Sequence, residues 1–178
     1  MQLKNGHLYC CILAILCFTV SPAQLRAQSF SENQIKGAFL YKITKFVRWE
    51  NDKKVNLCFI GEKEDASGET VGKTVASLAS KEKGKFEVSR DVNINDIKNC
   101  NLLFIGSKAE PSLQDILAIL ETQPIVTISD ISSFTRRGGM FGFFKQDNNV
   151  SVELHFQNAK KSGIKVNSAL QEMITIIK

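Results

Sequence analysis

Val55-Asn56-Leu57-Cys58-Phe59-Ile60-Gly61 and Cys100-Asn101-Leu102-Leu103-Phe104-Ile105-Gly106 decide the fold of this chain. Each is a short apolar run halted by a glycine, and each brings a cysteine. Runs of this length without polar alternation read as strands buried on both faces. Ile125 to Ile128 is a third such run. Between them, Glu69 to Ala79 sets Val71, Val75 and Leu78 on one helical face. Phe86, Val88 and Val92 mark a more amphipathic strand. Pro111 suits a first helical turn, and Ile116, Leu117 and Leu120 give that helix an apolar side. Apolar strands separated by helices argue an α/β fold: a single three-layer domain around a mainly parallel central sheet.

The pattern changes beyond Gly138-Gly139. Met140 to Phe144 and Val150 to Leu154 flank the turn-rich Asp147-Asn148-Asn149, which predicts an antiparallel hairpin at one edge of the sheet. A C-terminal helix is expected to follow, with Val166, Leu170, Met173, Ile174 and Ile177 turned inward. Upstream, Ser31-Glu32-Asn33-Gln34 fits a capping box. The helix it opens should end near Trp49 and carry Ile35, Ala38, Phe39, Ile43, Phe46 and Val47 on its buried face.

The first 27 residues read as a secretory signal. Lys4 gives a positive start, Leu8 to Val20 is apolar but too short to span a bilayer, and small residues allow cleavage after Ala23 or Ala27. The alternative is an uncleaved anchor, which wants about 20 apolar residues. Export and cleavage would leave residues 28–178 as one domain in an oxidising compartment. Of the five cysteines, Cys10, Cys11 and Cys17 leave with the signal. Cys58 and Cys100 remain, and a lone pair in an oxidising compartment is a disulfide candidate, with two buried thiols as the alternative. Losing Lys4 and Arg26 and no acid lowers the formal charge of +5 by two. That mild charge, with no basic stripe, argues against a nucleic-acid partner.

Catalytic groups are sparse. Gly68-Glu69-Thr70-Val71-Gly72-Lys73-Thr74 ends like a phosphate loop, but three residues separate the glycines where four are required. Of the two histidines, His7 lies in the signal. His155 alone serves neither a metal cluster nor a triad lacking a Gly-x-Ser-x-Gly elbow, and its place at the end of a predicted strand favours a hydrogen-bonded structural role. Asp65, Glu69, Asp91, Asp130 and Glu153 show no spacing that singles out a pair. Arg48-Trp49 sits where the first helix ends, a pairing that can stack on ligand rings or anchor a partner, with Trp49 simply closing the core as the equal alternative. Arg136 precedes Gly138-Gly139 after the third buried strand, on the side where open α/β sheets place ligands; it suits an anionic group there, with a solvated surface arginine as the commoner alternative.

Seven short pieces in order resemble the YfiR family, the domain of unknown function DUF4154. They are Ala38 to Tyr41 with Phe46 to Trp49; Leu57 to Ile60 with Cys58; Cys100 before Leu102 to Ile105; Thr127 to Asp130; Phe134; Gly138 to Met140; and Gly163 to Ser168. The chain departs from the family pattern at Glu50, where Trp-Pro is usual, and at His155, where an Asn is usual. The resemblance covers almost all of residues 31–178. It implies a small periplasmic α/β protein that is not an enzyme, and it supports pairing of Cys58 with Cys100.

The resemblance further implies repression of a membrane-anchored diguanylate cyclase through its periplasmic sensor region. The expected activity is therefore contact by an exposed apolar surface, with Arg48, Trp49, Arg136 and His155 as candidate partner- or ligand-binding residues. No cofactor or metal is expected. Regulation of a sensor histidine kinase, or a small-molecule-binding module using Arg48, Trp49 and Arg136, are the alternatives. A small ligand and a second copy of the chain are further candidate partners.

Overall fold

The computed structural model describes residues 29–49, 54–172 and 174–177. The expected signal segment lies outside the described residues. Helix α1 (Glu32–Ile43) leads to β1 (Val55–Ile60), α2 (Val71–Ala79), β2 (Phe86–Arg90), β3 (Leu102–Ile105), α3 (Leu113–Leu120) and β4 (Val126–Ser129). Then follow β5 (Phe141–Gln146), β6 (Asn149–His155), the short helices α4 (Phe156–Lys161) and α5 (Ser168–Gln171), and β7 (Thr175–Ile177). One seven-stranded sheet takes the order β2-β1-β3-β4-β5-β6-β7. The three buried runs are adjacent parallel strands, with Leu57 opposite Leu102 and Leu102 opposite Val126.

Strand alternation divides the core into two layers. Leu57, Phe59, Leu102, Phe104, Val126 and Ile128 pack on the α1–α2 side with Leu40, Ile43, Val71 and Val75. Cys58, Leu103 and Ile105 pack on the other side under Leu113, Ile116 and Leu120 of α3. The central strands are apolar in both directions because both faces are covered. The disulfide Cys58–Cys100 joins β1 to the crossover that enters β3.

The β5–β6 pair is the expected antiparallel hairpin, closed by Asp147 and Asn148 at φ 49° and 63°. Two consecutive left-handed residues make the tight turn that matches strand twist, and Asp and Asn tolerate that conformation. The hairpin is not outermost, because β7 pairs in parallel along β6, with Ile176 opposite Leu154.

The expected C-terminal helix is thereby corrected. Only Ser168–Gln171 is helical, and Leu170 alone of the expected set is buried there. Val166 instead bridges Val47, and Thr175-Ile176-Ile177 supplies the β-branched run of an edge strand. Met173 lies outside the described residues.

The first helix also differs from expectation. Its capping box is present, with Ser31 accepting from the Gln34 amide and Gln34 reaching back, yet it ends at Ile43. Its buried face comprises Asn33, Lys36, Gly37, Leu40 and Ile43. Ile35 and Ala38 point away from the sheet. Gly37 sets this rotation, since a β-carbon there would stand 2.6 Å from Thr74 Cβ of α2. The two helices touch at the one position without a side chain.

Candidate functional site

In an open α/β sheet, ligands gather beyond the carboxyl ends of the strands where strand order reverses. Here that point lies between β1 and β3, and the chain fills it. The Gly106 amide donates to the Ile60 carbonyl at 2.8 Å, and the Lys108 amide to the Gly61 carbonyl at 3.0 Å. A β-carbon on Gly61 would come within 3.0 Å of Ala109, and one on Gly106 within 3.0 Å of the Gly61 backbone.

Beside it, the N-terminus of α2 would cradle the phosphate of a nucleotide-binding loop. Glu62 occupies that position instead. Its Oε1 accepts from the Gly72 amide at 2.6 Å and its Oε2 from the Thr70 hydroxyl at 3.4 Å. Burial pushes the Glu62 carboxyl up, opposed by these two bonds. Thr70 caps α2 by accepting from the Lys73 amide at 3.1 Å. Gly68 turns the chain at φ 75°, so Gly68 to Thr74 is a turn and a helix start.

The Thr-x-Ser-Asp end of β4 locks neighbouring segments together. Thr127 Oγ1 accepts from the Met140 amide at 3.1 Å. Ser129 Oγ donates to the Ile105 carbonyl at 2.5 Å and accepts from the Ile131 amide at 2.9 Å. Asp130 Oδ2 accepts from Lys36 Nζ at 2.8 Å. Lys36 also meets Glu32, and Glu32 meets Lys145, each at 2.8 Å. This network ties α1 to the carboxyl ends of β4 and β5.

Bonds from Lys145 and Lys36 hold the Glu32 carboxyl below its ordinary value. Burial would lower the Lys36 pKa, but its bonds to Asp130 and Glu32 outweigh that and raise it. Glu32 therefore stabilises the fold above its unfolded pKa, and this is lost as pH falls through the lowered value. Lys36 stabilises it below the ordinary lysine value, and this is lost as pH rises through the raised one. Neutral pH lies between.

The candidate binding residues are dispersed. Arg48 is exposed and lines a cleft of about 570 Å³ with Lys45, Lys165 and Asn167. Its amide donates to the Lys165 carbonyl at 3.0 Å. Trp49 is half-buried against the α1-side core, and its Nε1 donates to the Thr44 carbonyl at 2.9 Å. Arg136 is exposed in the 3-10 turn Thr135–Arg137, just after Phe134, which packs in the α3-side core. The two arginines thus adjoin opposite layers of the core, and Arg136 does not line the cleft that Arg48 lines.

His155 takes a hydrogen-bonded structural part. Its Nδ1 accepts from the Asn158 amide at 3.3 Å and caps α4. That is the task of a capping Asn, which explains how imidazole stands where the family pattern has Asn. Asn158 in turn donates to the Thr135 and Gly139 carbonyls, at 3.1 and 2.8 Å. His155→Asn should leave stability nearly unchanged, while His155→Ala should lose about 1 kcal/mol. Urea unfolding of the two variants checks this, and equal losses would remove the cap as the reason for the residue.

Sequence reasoning missed Lys36 and Glu62. Their partners lie 94 and 10 residues away, so neither shows a local pattern beyond the Glu32–Lys36 spacing. It also missed an apolar groove between α1 and α2. Among the described residues, no group of three or more His, Cys, Asp or Glu is placed to hold a metal ion. Likewise, no helix among them is long and apolar enough to cross a membrane.

Comparison with solved structures finds a conserved domain protein from Vibrio cholerae O1 biovar eltor strain N16961, at TM-score 0.53 and 11% identity. The match covers 84% of this chain and 61% of that one, so this chain spans about three-fifths of its length. At that identity the likeness concerns the fold alone. The YfiR/HmsC-like family model matches residues 33–173. That span runs from the first turn of α1 to the segment before β7 and includes both bridged cysteines. The chain belongs to the YfiR/HmsC-like family, DUF4154.

Proposed function

We propose that this protein is exported, cut after Ala23 or Ala27, and acts in the periplasm as a regulator. It binds the periplasmic sensor region of a membrane-anchored signalling enzyme of diguanylate-cyclase type and represses it. Family membership over residues 33–173 carries this reading. The Cys58–Cys100 bridge supports it, because disulfides persist in oxidising compartments. Regulation here is by contact and not by turnover.

Cross-linking in the periplasm, read by mass spectrometry, should recover one membrane-anchored enzyme. Adding the purified protein to that enzyme should lower its turnover. Unchanged turnover at saturating protein would refute repression.

Arg48 with Trp49 offers one contact point, and Arg136 another on the opposite layer. Arg48→Ala or Arg136→Ala should weaken partner binding by roughly 1–3 kcal/mol, as for a desolvated charge-assisted hydrogen bond. Both side chains are exposed, so melting temperature should not change. Affinity unchanged in both variants would remove these arginines from the interface.

A further inference from the structure

The α1–α2 groove stands apart from the Arg48 cleft and takes no part in the reading above. A helix lying on a sheet ordinarily turns a polar face to solvent. Helix α1 does not. With Leu40 and Ile43 committed to the sheet, Ile35, Ala38 and Phe39 line a groove closed on the other side by Leu78 of α2. Phe30, 72% exposed, stands at its mouth. The groove holds about 630 Å³, within the span of small-molecule sites, which are mostly apolar with a few polar groups that fix orientation. From Gln34 to Lys42 it follows α1 for about 12 Å, eight residues of helical rise.

Charge narrows the ligand class. Lys42 and Lys73 line the groove with one acid, Glu69, whose backbone carbonyl accepts from Asn33 in the first turn of α1, at the other end from Lys42. Lys73 is engaged, its Nζ 2.8 Å from Glu64 Oε1 and 2.7 Å from the Gly68 carbonyl. Lys42 is exposed in the last turn of α1, at the far end of the groove from Phe30. We propose that this groove binds a free anionic amphiphile of the medium-chain fatty-acid class. The apolar chain lies along Ile35, Ala38, Phe39 and Leu78, and the carboxylate meets the Lys42 ammonium. Burial of the chain supplies most of the affinity, and the lysine selects the sign of the headgroup.

Three probes of matched chain test this on the protein purified as the cell produces it: decanoate, 1-decanol and decyltrimethylammonium, each below its micelle-forming concentration. Isothermal titration should give one decanoate site, at least about tenfold tighter than decyltrimethylammonium. Lys42→Glu should lose about tenfold for decanoate and leave decanol unchanged. Ala38→Trp and Ser77→Trp fill the groove from opposite walls at exposed positions, and each should abolish binding at an unchanged melting temperature. Equal affinity for all three probes would overturn the proposal, as would no decanoate binding at millimolar concentration. A filled variant that keeps both its melting temperature and its decanoate affinity would also overturn it. If Ala38→Trp unfolds, Ser77→Trp and the Lys42 charge reversal decide the matter.

Discussion

Replacing Cys58 and Cys100 together with alanine is expected to lower unfolding free energy by about 4 kcal/mol, the value of closing a loop of this length in the chain-entropy model. The cysteines are 42 residues apart. The bridge restrains the unfolded chain across β1, α2, β2 and the whole crossover into β3. In the native state it lies in the α3-side core, where both cysteines are buried. Urea titration of the oxidised wild type, the reduced wild type and the double variant measures the effect. The reduced protein and the variant should lose similar amounts. A loss below about 1 kcal/mol would show that the unfolded chain gains little freedom from cutting the tether.

A comparable loss, roughly 3 kcal/mol, is expected for Gly106→Ala. Its backbone is ordinary extended chain, φ −77° and ψ 163°, so alanine meets no torsional penalty there. The cost is steric. The new methyl group would press within 3.0 Å of the Gly61 carbonyl and Glu62 Cα, backbone atoms that no side-chain rotation can move. Relief requires parting the β1 and β3 loops, which breaks the Gly106–Ile60 hydrogen bond. Gly84→Ala is the contrast. It has φ +80° and open space around it, so it should lose only about 1 kcal/mol, the price of the left-handed conformation. Equal losses at the two positions would mean that the strand-end loops move freely and that the crevice between them can open.

That crevice illustrates how the sequence and the structure divide the information. Gly61 and Gly106 are legible in the sequence as strand stops. That they abut each other, and so close the usual ligand position of this fold, depends on a register between segments 45 residues apart. The Gly68 to Thr74 segment behaves similarly. Its spacing alone argues against a phosphate loop, but the positive reason is Glu62 on the Gly72 amide, a contact that depends on how the loop after β1 folds back.

Local physics determined much of this protein in advance. Apolar runs of strand length, the Ser31 capping box and the Asp147-Asn148 turn each depend on neighbouring residues, and Cys58 with Cys100 stands out as a candidate pair. All are found in the described structure. Tertiary packing decided the rest. Helix α1 carries apolar residues all round, so its periodicity names no single buried face. The close approach at Gly37 and the Lys36–Asp130 ion pair select one, leaving Ile35, Ala38 and Phe39 to line the groove. The Ile174 to Ile177 segment suits a helix or a strand by pattern, and the open side of β6 makes it a strand. Arg48 follows Val47 of the α1-side core, whereas Arg136 lies close behind Phe134 of the α3-side core, a separation set by the winding of the chain and carried by no local run of residues.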